Sequence, residues 1–119
     1  DIYIKGKNTR EIMIYAGDSP YSMRVALRVQ PEGEISVCTS AGTNGHAKSL
    51  GKADAAVAIS RNAALADAAA TALGNRVESE CDVARCLSWA ATIPGISGCL
   101  LIVGDRLGAW GDVQLVGVE

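Results

Sequence analysis

Asp67, Thr71 and Asn75 follow one another at intervals of four residues, so on a helix their side chains line one stripe. One carboxylate and one hydroxyl at that spacing suit Mg²⁺, which takes few protein oxygens and completes its shell with phosphates and water. The ordinary alternative is a solvated helix face. The residues beside the stripe, Ala63, Ala64 and Ala70, are not the Lys, Glu and Gln that usually furnish one. Small residues all round a helix imply close approach by other elements or by a ligand. A carboxylate held there must be paired, hydrogen-bonded or bound to a metal, because a lone buried charge is costly.

A second group of chemistry-bearing residues is the run Thr39-Ser40-Ala41-Gly42-Thr43-Asn44-Gly45-His46. It leaves a strand, carries three hydroxyls, and has two glycines that let backbone N–H groups come close to an anion. An ordinary surface turn would have the same composition. The run is not a P-loop: from Gly45 to Gly51-Lys52 the spacing is one residue too long, and Ala53 stands where Ser or Thr is required. His46, the only histidine, has three open roles: general base, phosphate contact or plain loop residue.

The elements that must position these groups fall into two regimes. Residues 1–60 read as short strands joined by tight turns: 1–5, 11–16, 24–29, 34–38 and 53–60, with turn-forming Gly6-Lys7-Asn8, Gly17-Asp18-Ser19-Pro20 and Pro31-Glu32-Gly33 between them. Connections this short suit antiparallel pairing, since a parallel crossover needs a dozen residues or more. A Gly-rich loop covers 41–51. The period then changes. Residues 62–74 are helical: Ser60 or Asn62 can cap the start, seven of the ten residues 63–72 are Ala, and Gly74-Asn75 ends the run. A second helix spans about 79–92 and stops at Pro94-Gly95. Residues 99–103 and 112–118 read as a closing hairpin through 104–111. The expected class is α+β, an antiparallel sheet with two helices on one face.

Composition narrows the function. Apolar residues make up 49 % and charged residues 20 % of the 119 residues, with 11 Lys and Arg against 13 Asp and Glu. That describes one well-packed domain without a basic footprint for nucleic acid or anionic lipid. With 4 % aromatics and no Phe, the chain also lacks the stacking platform of single-strand binders. Four cysteines without a Cys-x-x-Cys pair, beside one histidine, argue against structural zinc and suit buried thiols in a reducing cytoplasm. No apolar run approaches the ~20 residues of a membrane helix.

At the motif residues the sequence resembles the ApbE-like family. The resemblance rests on Thr39-Ser40 followed by His46, on Ala53-Asp54 entering a strand, and above all on the helix Leu65-Ala66-Asp67-Ala68-Ala69-Ala70-Thr71-Ala72-Leu73-Gly74. Asp1-Ile2-Tyr3-Ile4 and Ala16-Gly17-Asp18-Ser19-Pro20 support it. It covers residues 1 to about 77 and is similar to the branch labelled as thiamine-biosynthesis-related. The family's Asp-Pro-x-Thr-Gly segment after the histidine is replaced here by 47–52. The resemblance implies a Mg²⁺-assisted transfer of FMN from FAD onto a Thr of a target protein. Asp67 and Thr71 would match its metal pair, and His46 its catalytic histidine. Thr39, Ser40, Gly42, Thr43 and Gly45 would form its cofactor-binding loop. A related enzyme acting on a phosphorylated cofactor, or a non-catalytic binding or assembly module of the same fold, would carry the same motifs. The resemblance also implies that residues 1–119 are the C-terminal portion of one such domain, its N-terminal half missing, with that half or a homo-oligomeric copy as partner.

Overall fold

The structure is a computed structural model that describes residues 2–6, 8–17, 19–29, 33–40 and 53–117, with side chains from residue 8 onward. Two antiparallel sheets and two helices form three layers. The larger sheet has the order β1-β4-β5-β6-β7 and the smaller the order β2-β3-β8. The strands are β1 Ile2–Gly6, β2 Arg10–Met13, β3 Val25–Val29, β4 Gly33–Ser40, β5 Ala55–Ser60, β6 Ile96–Val103, β7 Arg106–Gly111 and β8 Gln114–Gly117. The helices are α1 Ala63–Asn75 and α2 Val83–Ala90, the latter entered through a 3₁₀ turn at Glu80–Asp82. The α+β class holds, and both helices lie on one face of the larger sheet.

Strand alternation sorts the side chains of that sheet. Val37 on β4, Ala55, Val57 and Ile59 on β5, and Leu100 and Ile102 on β6 face the smaller sheet, where they meet Ile14, Leu27 and Val29. On the other side, Cys38, Ala58 and Ile96 meet Ala66, Ala69 and Ala70 of α1. Ala56, Cys99 and Leu101 meet Leu73 of α1 and Val83, Cys86 and Leu87 of α2. β5 is covered on both faces and buried throughout, which its sequence Ala-Ala-Val-Ala-Ile-Ser permits because alanines on the helix side let α1 come close. That accounts for three of the seven alanines in α1, those at 66, 69 and 70.

Asn62 caps α1 as expected, its Oδ1 accepting from the Leu65 N–H at 3.1 Å. Gly74 and Asn75 are the last two residues of α1, as expected, and Gly74 is buried. The C-terminal region differs from the expected hairpin. Residues 106–111 are not a loop but β7, paired with β6 from Gly98↔Gly111 to Val103↔Arg106. The last strand crosses to the smaller sheet, where Leu27↔Leu115 and Val25↔Gly117 pair. Gly111, at φ +80°, makes this possible. A Cβ there would stand 2.3 Å from the Ser97 carbonyl oxygen, so only glycine lets the strand leave the sheet so close to β6. The expected single sheet is thus two, and the chain passes between them three times, from β1 to β2, from β3 to β4 and from β7 to β8.

Candidate functional site

β5 delivers the chain into α1, which returns across β4 and β5. The Cys38 thiol lies 3.9 Å from the Ala63 carbonyl oxygen, so the helix begins above the middle of β4. Asp67 is one turn further, about 6 Å, and Ser40 is two residues beyond Cys38, about 6.6 Å. Asp67 therefore lies level with the end of β4, and Thr71 and Asn75 lie beyond it. The Cys38 thiol registers this neighbourhood: burial raises its pKa first, and the nearby Asp67 carboxylate raises it further.

Asp67 and Thr71 are exposed, on the face of α1 turned away from the sheet, together with Ala63, Ala64, Ala68 and Asn75. The Thr71 hydroxyl donates to the Asp67 backbone carbonyl at 3.0 Å, the back-bond common for Thr inside helices. With its proton engaged, the Oγ1 lone pairs remain available to a cation. Among the described residues no three His, Cys, Asp or Glu side chains stand close enough to hold a metal. A cation on this stripe would take one carboxylate and one hydroxyl from the chain, a set that fits Mg²⁺ with the remaining positions filled by phosphate oxygens and water.

Thr39 and Ser40 are the last residues of β4, paired with Val57 and Ala56, rather than part of a loop. As successive strand residues they point to opposite faces. Ser40 shares the helix side with Cys38, and Thr39 shares the side of Val37. Gly42, Thr43, Gly45 and His46 lie outside the described residues. Asp54, just before β5, is fixed to the end of β6 and the turn into β7. Its Oδ2 accepts from the Gly104 N–H at 2.7 Å, its own N–H donates to the Ile102 carbonyl at 2.9 Å, and the Ser19 hydroxyl donates to the Gly104 carbonyl at 2.5 Å.

A cleft that the sequence did not suggest opens at the other end of the sheet. It measures about 580 Å³ and is lined by Arg28, Val29, Glu34, Ile35, Arg61, Ser97 and the stretch from Gly111 to Gln114. β4 spans the two ends, about 23 Å for its eight residues. Arg28 reaches Glu11 at 3.0 Å. Arg28, Arg61, Glu34, Asp112 and Ser97 stand with Val29, Ile35 and Val113 in a lining of mixed polarity. The signal was unreadable in the sequence because its residues come from five separate strands and the links after β5 and β7.

Known proteins bear on this geometry as follows. A family model described as AbpE bacteria matches residues 1–95. The UPF0280 protein of Methanothrix thermoacetophila is 43 % identical over 114 residues, covering 95 % of this chain and 47 % of that protein. Those of Methanosarcina acetivorans and Methanocella arvoryzae are 44 % and 39 % identical, covering 98 % and 93 % of this chain and 46 % and 45 % of their own lengths. The chain thus spans about half the length of the curated relatives it matches.

Proposed function

Because the chain belongs to the AbpE bacteria family, we propose that it supplies the metal-binding part of an ApbE-like enzyme, one that transfers FMN from FAD to a target protein or acts on another phosphorylated cofactor. The observation that supports this is the position of the Asp67–Thr71 pair, exposed on α1 and level with the end of β4, from which the chain runs on toward His46. The Asp67 carboxylate and Thr71 Oγ1 would hold Mg²⁺, which when bound offsets charge on a diphosphate. Backbone N–H groups of Gly42, Thr43 and Gly45, with the Ser40 hydroxyl, would hold the diphosphate oxygens. His46 would take the proton of the attacking hydroxyl as its oxygen bonds to the FMN phosphorus and AMP leaves.

The test is AMP release and covalent flavin incorporation by the full-length protein given FAD, Mg²⁺ and a threonine-bearing acceptor. Asp67→Ala should lower the rate at least about 100-fold and Thr71→Val about 10-fold, magnitudes ordinary for groups that stabilise transition-state charge, with Tm unchanged because both side chains are exposed. A full-length protein that neither releases AMP nor gains thermal stability with FAD or FMN would refute the reading, since a real site raises Tm by mass action.

The cleft favours a second reading, a binding module without chemistry. If that reading holds, a phosphorylated cofactor raises Tm in Asp67→Ala as in the parent, and Arg61→Ala or Asp112→Ala removes the effect.

A further inference from the structure

The two faces of the fold are finished differently. α1 and α2 cover the outer face of the larger sheet, whereas no described element covers the outer face of the smaller one. Pairing places two rows across that face: Glu11–Arg28–Gln114, and Met13–Ala26–Val116. The first is polar and carries the Glu11–Arg28 ion pair. The second is apolar, with Ala26 buried at its centre; Tyr15 follows Met13 by alternation, and the Met23 N–H donates to the Ile14 carbonyl between them at the end of the hairpin. Met13, Tyr15 and Met23 are 45 %, 59 % and 51 % exposed. They are three of the four large hydrophobic side chains exposed among the described residues, the fourth being Trp110. Single exposed hydrophobes are commonplace, but a clustered set with a polar row beside it marks a contact surface.

We propose that in the full-length protein this Met13–Tyr15–Met23 face is covered by the part of the polypeptide that lies outside residues 1–119. Relatives that match nearly all of this chain have about as many residues again beyond the match. That remainder is in the same molecule and at high effective concentration. Among the described residues, the hairpin face is a sheet surface left uncovered where it can bury apolar side chains. The inference is independent of the transferase reading, and it holds whether or not the protein transfers flavin.

The chain's chemistry provides a direct probe, because its two methionines are Met13 and Met23. Intact mass of the natural product comes first, and a product of only 12.3 kDa would overturn the proposal. The native full-length protein is then treated with dilute hydrogen peroxide, and sulfoxide formation at Met13 and Met23 is followed by peptide mass spectrometry. The expected rates are at least about 10-fold slower than after unfolding, and unchanged by 100-fold dilution. Oxidation as fast as in the unfolded chain would overturn the proposal. So would protection that disappears on dilution as a dimer becomes a monomer, which would assign the face to a second copy instead.

Discussion

Two serines on neighbouring strands carry opposite expectations. Ser60 and Ser36 pair across β4 and β5 on the helix side of the sheet, and both are buried. The Ser60 hydroxyl donates to the Gly95 carbonyl at 2.8 Å and accepts from the Asn62 N–H at 3.1 Å, tying the start of α1 to the turn before β6. Ser60→Ala leaves two backbone groups short of a partner and should cost about 1–3 kcal/mol. The Ser36 Oγ has no partner among the described residues, so Ser36→Ala removes an unsatisfied hydroxyl and should be neutral or stabilising. Paired urea titrations measure the difference, and equal losses would show the assigned hydrogen bonds to be wrong. The thiols make a second residue-scale case. Burial raises the pKa of Cys38, Cys86 and Cys99, the last to about 11, while Cys81 is exposed. In the folded state these three keep their protons where the unfolded chain would lose them. Their contribution is therefore complete below pH 9, and for Cys99 it declines from pH 9 toward 11. At pH 8 a thiol reagent should modify Cys81 alone in the native protein and all four cysteines after unfolding. The sequence allowed the reading of buried thiols from composition, but which cysteine stays exposed depends on the 3₁₀ turn before α2.

Among the elements, those set by local chemistry were legible and those set by pairing were not. α1 declared itself through an alanine run and an Asn cap, each of which acts within one turn of helix. β7 did not. Its sequence, Arg-Leu-Gly-Ala-Trp-Gly, holds two glycines of the kind that punctuate loops, and those glycines are present for packing. Gly108 lies beneath α2, where a Cβ would meet Leu87 Cδ1 at 2.6 Å and Val83 Cγ1 at 2.8 Å, and Gly111 stands against the Ser97 backbone. Substitution separates these roles. Gly33, at φ +100°, has no described atom within 4 Å of an added Cβ, so Gly33→Ala costs only the backbone strain of a left-handed residue, about 1–2 kcal/mol. Gly111→Ala pays a similar strain and also meets a carbonyl that cannot swing away, so it should cost at least 1 kcal/mol more. Thermal unfolding of the two variants is the check, and equal Tm values would mean that the corner relaxes without loss.

At the scale of the whole molecule, the class and the placement of both helices followed from the order of periodicities, but the division into two sheets did not. Nothing in residues 112–118 states that they pair with 25–29, because that partnership is set by the corner at Gly111. The same limit applied to function. The Asp67–Thr71 stripe was readable because helical spacing lies within one segment, whereas the cleft gathers residues from β3, β4, β6, β7, β8 and the links after β5 and β7.

The position of β3 bears on the order in which the protein can be made. β3 is the centre of the smaller sheet. One neighbour, β2, is adjacent in the chain, and the other, β8, follows about ninety residues later. At ribosomal speeds of ~5–20 residues per second that separation lasts roughly 5–20 s. Until β8 emerges, β2 and β3 form only a two-stranded hairpin, which is marginal in water by itself, and Val25 and Leu27 lack the cover that Leu115 later provides. Closure of the smaller sheet therefore waits for residues 114–117 and is late relative to the rest of this region rather than early. Through that interval the nascent hairpin is a natural substrate for a holding chaperone.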